Sequence, residues 1–125
     1  MPSVFLHTYH EENQNWEKTL LIQRKELPSM ETELSHSSKS NTGDLQQFNA
    51  LHYKTMLESM AGDLDQILLK IQKQQHRITD IINQTPGQIS LTDLLYHQEY
   101  LRDEVLAFEQ EYIEFKKRIH QYFLS

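Results

Sequence analysis

The sequence predicts an all-α fold, an elongated antiparallel three-helix coiled coil that runs up, down and up. Glycine and proline number only three each in 125 residues, too few turn-formers to bound the many short strands of a sandwich or barrel. Three long segments carry apolar residues at alternating spacings of three and four, the seam of a heptad repeat. Two polar breaks separate them: Ser35-His36-Ser37-Ser38-Lys39-Ser40-Asn41-Thr42-Gly43 and Thr85-Pro86-Gly87. The expected helices cover about 9–36, 44–84 and 90–124, with loops over 37–43 and 85–89, in a single domain spanning 1–125.

The first segment carries Tyr9, Asn13, Trp16, Leu20, Gln23, Leu27, Met30 and Leu34 on its seam. Thr8 with Glu11 forms a capping-box pattern at its expected start. Pro28 interrupts the segment, but the heptad continues in phase, which predicts one kinked helix and not two. The second segment reads Ala50, Tyr53, Leu57, Met60, Leu64, Ile67, Ile71, Gln74, Ile78 and Ile81. Gly62 lies inside it and costs about 1 kcal/mol relative to alanine, which so long a helix absorbs. The third segment is the clearest. Its seam is unbroken from Leu91 to Tyr122, with Leu91 at position a and Leu94 at d. Ser90 is a natural N-cap, and Ile89 with Leu94 occupies the two positions of a hydrophobic staple.

Short connections make neighbouring helices antiparallel, so residues facing each other have numbers with a constant sum. For the second and third helices a sum of 172 aligns Ile81 with Leu91, Ile71 with Leu101 and Leu57 with Phe115. It also sets Gln74 opposite Gln98, a matched polar layer that fixes register because each amide satisfies the other. Lys70, Lys73 and Arg77 then lie beside Glu99, Asp103 and Glu104. The first helix pairs with the second at a sum near 80, with a shift of one heptad left open. At that sum the first helix ends near Ile71, leaving a two-helix tip beyond it. Surplus apolar residues gather at this tip: Leu68, Ile82 and Leu95 at e positions and Leu69 at f. So wide a bare stripe invites association, so either Val4-Phe5-Leu6 folds over it or a second chain or partner covers it.

Charge and composition narrow the chemistry. Twelve basic against eighteen acidic side chains leave a net charge of −6, which opposes counterion-releasing contact with nucleic acid. The absence of cysteine excludes disulfide scaffolds, thiolate metal sites and cysteine nucleophiles. No stretch approaches the ~20 apolar residues that cross a bilayer. The N-terminal residues lack both the basic and the long apolar region of a secretory signal, which predicts a soluble cytoplasmic protein.

Seven histidines raise a metal reading. His7 and His10 share a helical turn, and Glu33 with His36 has the Glu-x-x-His spacing of carboxylate-bridged bundles. Those bundles need two such motifs and two further glutamates; here there is one copy, off the seam. Glycine-rich phosphate loops, nucleophile elbows and His-Glu-x-x-His helices are all missing from the sequence. No catalytic, cofactor or metal residues are assigned.

The run Asn15-Trp16-Glu17-Lys18-Thr19-Leu20-Leu21-Ile22-Gln23-Arg24-Lys25-Glu26-Leu27, followed by a polar loop and by Phe48 opening a second long helix, resembles small coiled-coil proteins of Bacteroidetes-type bacteria. The resemblance covers about the first half of the chain and implies no activity or functional residues. The expected role is therefore non-enzymatic: a helical scaffold associating with itself or a protein partner through the tip residues Leu68, Leu69, Ile82 and Leu95, with Gln74 and Gln98 setting register. The alternative is a helical bundle binding metal through carboxylates and histidines.

Overall fold

A computed structural model describes residues 2–40, 44–83 and 90–124. They form three long helices, α1 (Pro2–Ser40), α2 (Asp44–Ile82) and α3 (Leu91–Leu124). The expected all-α architecture is present, with α2 antiparallel to both neighbours and α1 parallel to α3. Among the described residues no helix is long and apolar enough to cross a membrane.

The largest departure from expectation is the start of α1. The helix begins at Pro2, so Thr8 lies inside it and does not cap it. Proline suits a first turn, where its missing N–H has no helical partner to lose. Leu6 supplies the stabilisation for this extra length: it is buried with Ile78 and Leu94, and Tyr9, Ile81 and Leu91 pack around it. At the other end α1 runs to Ser40 and absorbs the first two thirds of the serine-rich break. The remainder, 41–43, lies outside the described residues, as do Thr85-Pro86-Gly87 and the staple residue Ile89.

Helix α1 is continuous through Pro28. Proline cannot donate to the carbonyl one turn earlier. Its own carbonyl still accepts a bond from the Thr32 hydroxyl, at 3.0 Å. The start of α3 is as expected: Ser90 Oγ accepts from the Asp93 N–H at 3.2 Å, and the Ser90 carbonyl accepts the first helical bond from Leu94.

Helices α2 and α3 pair in the expected register, with Gln74 bonded to Gln98 and Lys70 to Glu104. Helix α1 takes the register one heptad away from the sum near 80. Asn13 bonds Gln75, the Gln75 amide reaches the His10 carbonyl, and Arg24 pairs with Asp65, so facing numbers sum to between 85 and 89. This slide carries α1 toward the tip of the α2/α3 hairpin. The main core then runs from Leu34, Leu57 and Phe115 past Leu64 and Phe108 to Leu68 and Leu101. Tyr53 fills its far end, 5.2 Å from the Tyr122 ring and 6.1 Å from Phe115.

Candidate functional site

The heptad slide brings together a buried polar layer with one amide from each helix. Asn13, Gln74 and Gln98 occupy seam positions and are at most 1% exposed. A buried amide left unpaired costs about 1–3 kcal/mol, so the pairing of each atom matters. Gln98 is the hub. Its Oε1 accepts from Gln74 at 3.0 Å and from Asn13 at 3.3 Å. Its Nε2 donates to the Asn13 Oδ1 at 2.9 Å and to Glu12 at 2.8 Å. Gln74 also donates to the Leu94 carbonyl and accepts from Arg77. Asn13 donates onward to Gln75, whose own amide caps the His10 carbonyl. The paired glutamines expected from the sequence are thus two members of a three-helix layer.

At the edge of this layer Arg102 grips Glu12 through two nitrogens, at 2.7 and 2.9 Å. Burial of the Glu12 carboxyl opposes its charged form, but hydrogen bonds from Arg102 and Gln98 outweigh that and leave its pKa below the ordinary glutamate value. The bond to Glu12 correspondingly holds the Arg102 pKa up.

The same arrangement recurs fourteen residues further on. Glu26 accepts from the Tyr112 hydroxyl at 2.9 Å and from Lys116 at 2.8 Å. Glu12 and Glu26 take equivalent heptad positions on α1, as do Gln98 and Tyr112, and Arg102 and Lys116, on α3. The Lys116 bond, against some burial and with help from Tyr112, lowers the Glu26 pKa. Burial and the bond to Glu26 push the Tyr112 phenol up. Between the two clamps Gln23 donates to Glu109 at 2.8 Å, while its buried Oε1 has no hydrogen-bond partner among the described residues.

The tip residues fare differently from one another. Leu68 is buried in the main core, Leu95 is half-buried, and Leu69 and Ile82 remain 56% and 44% exposed. The two-helix tip expected from the sequence is replaced by a three-helix one. The surplus apolar e positions lie on the flank of the hairpin that faces α1, and the longer, shifted α1 brings Leu6 onto that end. Val4 lies outside the described side chains, and Phe5 stays 58% exposed.

The opposite flank of the hairpin is an open groove between α2 and α3. Ile67 and Phe108 form its floor, with Gly62, Gln66 and Ala107 beside them and the Lys70–Glu104 pair across it. Nothing lies within 4 Å of where a Cβ on Gly62 would sit. The tip end of the groove is lined by Lys73, Arg77, His97 and Tyr100, and the other end by Asp63, Glu111 and Glu114.

Sequence reasoning passed over Asn13, Glu12, Arg102 and Gln75. Asn13 carried a signal, since it and Gln23 are the polar residues on the seam of α1, and the other two helices already predict a polar layer. His7, His36, His52, His76, His97 and His120 stand on exposed positions. Among the described residues no group of three or more histidine, aspartate or glutamate side chains is arranged to hold a metal ion. No family model, curated protein or solved structure matches the chain.

Proposed function

We propose that this chain is a cytoplasmic, non-enzymatic helical interaction protein of bacterial type, acting by coiled-coil association with itself or with a protein partner. The observation that carries the reading is the outer surface. With a complete core already inside, Tyr96, Tyr100, Leu106 and Ile113 on α3 are 49–71% exposed, and Leu69 and Ile82 stand outside the tip. Apolar side chains repeated along the outside of a rod suit helix-to-helix contact.

The polar groups support the same reading. The amides of the layer satisfy one another, and both clamped carboxylates are engaged by cations, so these groups serve geometry and do not stand ready to move protons. Bifunctional cross-linking of the protein in its own cells, alongside sedimentation equilibrium of the purified chain, tests the proposal. Cross-linked adducts of defined mass support it. A chain that is monomeric in solution and forms no adduct in cells overturns it.

A further inference from the structure

The α2/α3 groove carries its charges in an order that reads as its own complement. From the end away from the tip, its rim presents Arg118, then the acidic Glu114, Glu111 and Asp63. The Glu104–Lys70 pair stands at the middle, followed by Lys73, His97 and Arg77, and Asp80 closes the series. In the register where facing numbers of α2 and α3 sum to 172, the basic and acidic groups are placed evenly about Lys70 and Glu104. Inverting the series end to end inverts the sign at each charged station, and sets the polar His97 ring opposite Glu111. A two-fold axis through that central pair therefore lays the basic half of one copy on the acidic half of another, and Asp80 on Arg118 of the second copy. This is the pattern an isologous antiparallel contact requires.

Shape follows the same axis. Tyr100, 61% exposed on the basic half, maps onto the level of Gly62, Gln66 and Ala107 on the acidic half. That level holds open space, with nothing within 4 Å of a Cβ on Gly62. An aromatic ring is the kind of rigid anchor that fills such a hollow at an interface.

We infer that the occupant of this groove is a second copy of the same chain, docked antiparallel with Tyr100 of each copy over Gly62 of the other and the basic and acidic halves paired crosswise. The inference rests on the interaction reading above and names its partner and its face, which is the flank opposite α1 and not the tip.

Charge exchange tests it. Two double variants are made in the full chain, Lys73→Glu with Arg77→Glu, and Glu111→Lys with Glu114→Lys, all at exposed or half-exposed positions. Sedimentation velocity at low salt is expected to show a dimer for the native chain and at least roughly tenfold weaker association for either variant alone. An equimolar mixture of the two is expected to regain the dimer, because each altered half then meets its complement. Circular dichroism of each variant separates lost association from lost folding, and Tyr100→Ala, which leaves every charge in place, is expected to weaken the dimer by a similar factor. A native chain that stays monomeric overturns this inference while leaving a heterologous partner, read by cellular cross-linking, to decide the broader proposal. A native dimer that neither double variant disturbs, or a mixture that fails to regain it, overturns this face while the broader proposal stands.

Discussion

The two carboxylate clamps of α1 share a geometry but hold different interiors. At Glu12 the clamp closes over a layer of three amides, each at most 1% exposed, whose donors and acceptors are matched across all three helices. At Glu26 it closes over an aromatic core, where Phe108 and Tyr112 stack 6.0 Å apart and Lys116 lies 5.5 Å from the Tyr112 ring. The first is specific because every member depends on the others. The second is tolerant, because ring packing survives the loss of one polar partner. Polar burial here stabilises only as a complete set, and its worth is read by breaking it partially.

The largest expected effect comes from breaking the hub. Gln98→Leu leaves the Asn13 Oδ1 in the core without its donor and takes one of two acceptors from the Gln74 amide, and should lower unfolding free energy by about 1–3 kcal/mol in urea titration. Replacing Gln74 and Gln98 together should also destabilise, since Asn13 remains without its Gln98 partner. Only the triple Asn13→Leu, Gln74→Leu, Gln98→Leu is expected to exceed the native stability, at the expense of register. A destabilised triple variant would show the amides to be stabilising in their own right.

The clamps should differ next. Arg102→Met removes a two-pronged cation from the edge of the amide layer and should cost about 1–2 kcal/mol. Lys116→Met leaves Glu26 bonded to Tyr112 at a more open site and should cost under about 1 kcal/mol. Equal losses would mean the interior beneath the clamp is irrelevant. Gln23→Leu reverses the sign: it removes an unpaired buried oxygen while freeing Glu109 to water, and a gain of about 0.5–1 kcal/mol is expected.

The smallest effect is on acid stability. Both clamped glutamates have folded-state pKa values below the 4.5 of the free group, so each stabilises the fold above that value and loses its contribution as pH falls through the folded value. Glu12→Gln combined with Glu26→Gln should therefore give a Tm that declines less than the native one between pH 5 and pH 3. A steeper decline in the variant would contradict the assigned direction.

Heptads made the helices and the α2/α3 register legible, because period and facing sum both follow from seam residues alone. The register of α1 was less so, since a sum near 80 and a sum one heptad larger align its apolar seam equally well. What decides between them is polar. The larger sum lets Asn13 join Gln74 and Gln98, a signal present in the sequence that matching apolar residues overlooks. The start of α1 was hidden for another reason: Thr8 and Glu11 satisfy a local capping pattern, yet burial of Leu6 at the tip outweighs it. Local signals propose helix ends, and tertiary packing disposes of them. The groove pattern, in turn, becomes visible only once both helices are placed, because its charges alternate between two helices that are separate segments of the sequence.

The fourteen-residue spacing of the clamps has a consequence for how the chain finds its native pairing. Sliding α1 along α3 by one heptad in one direction brings Glu12 to the station of Glu109; sliding it the other way brings Glu26 there. Either misaligned form meets repulsion between like charges and buries an amide without its mates. Apolar contacts alone would let such a rod settle into whichever alignment it collapsed to first. With Glu109 standing midway between the two cations, each misaligned form is disfavoured, and the native alignment is the one that seats both carboxylates.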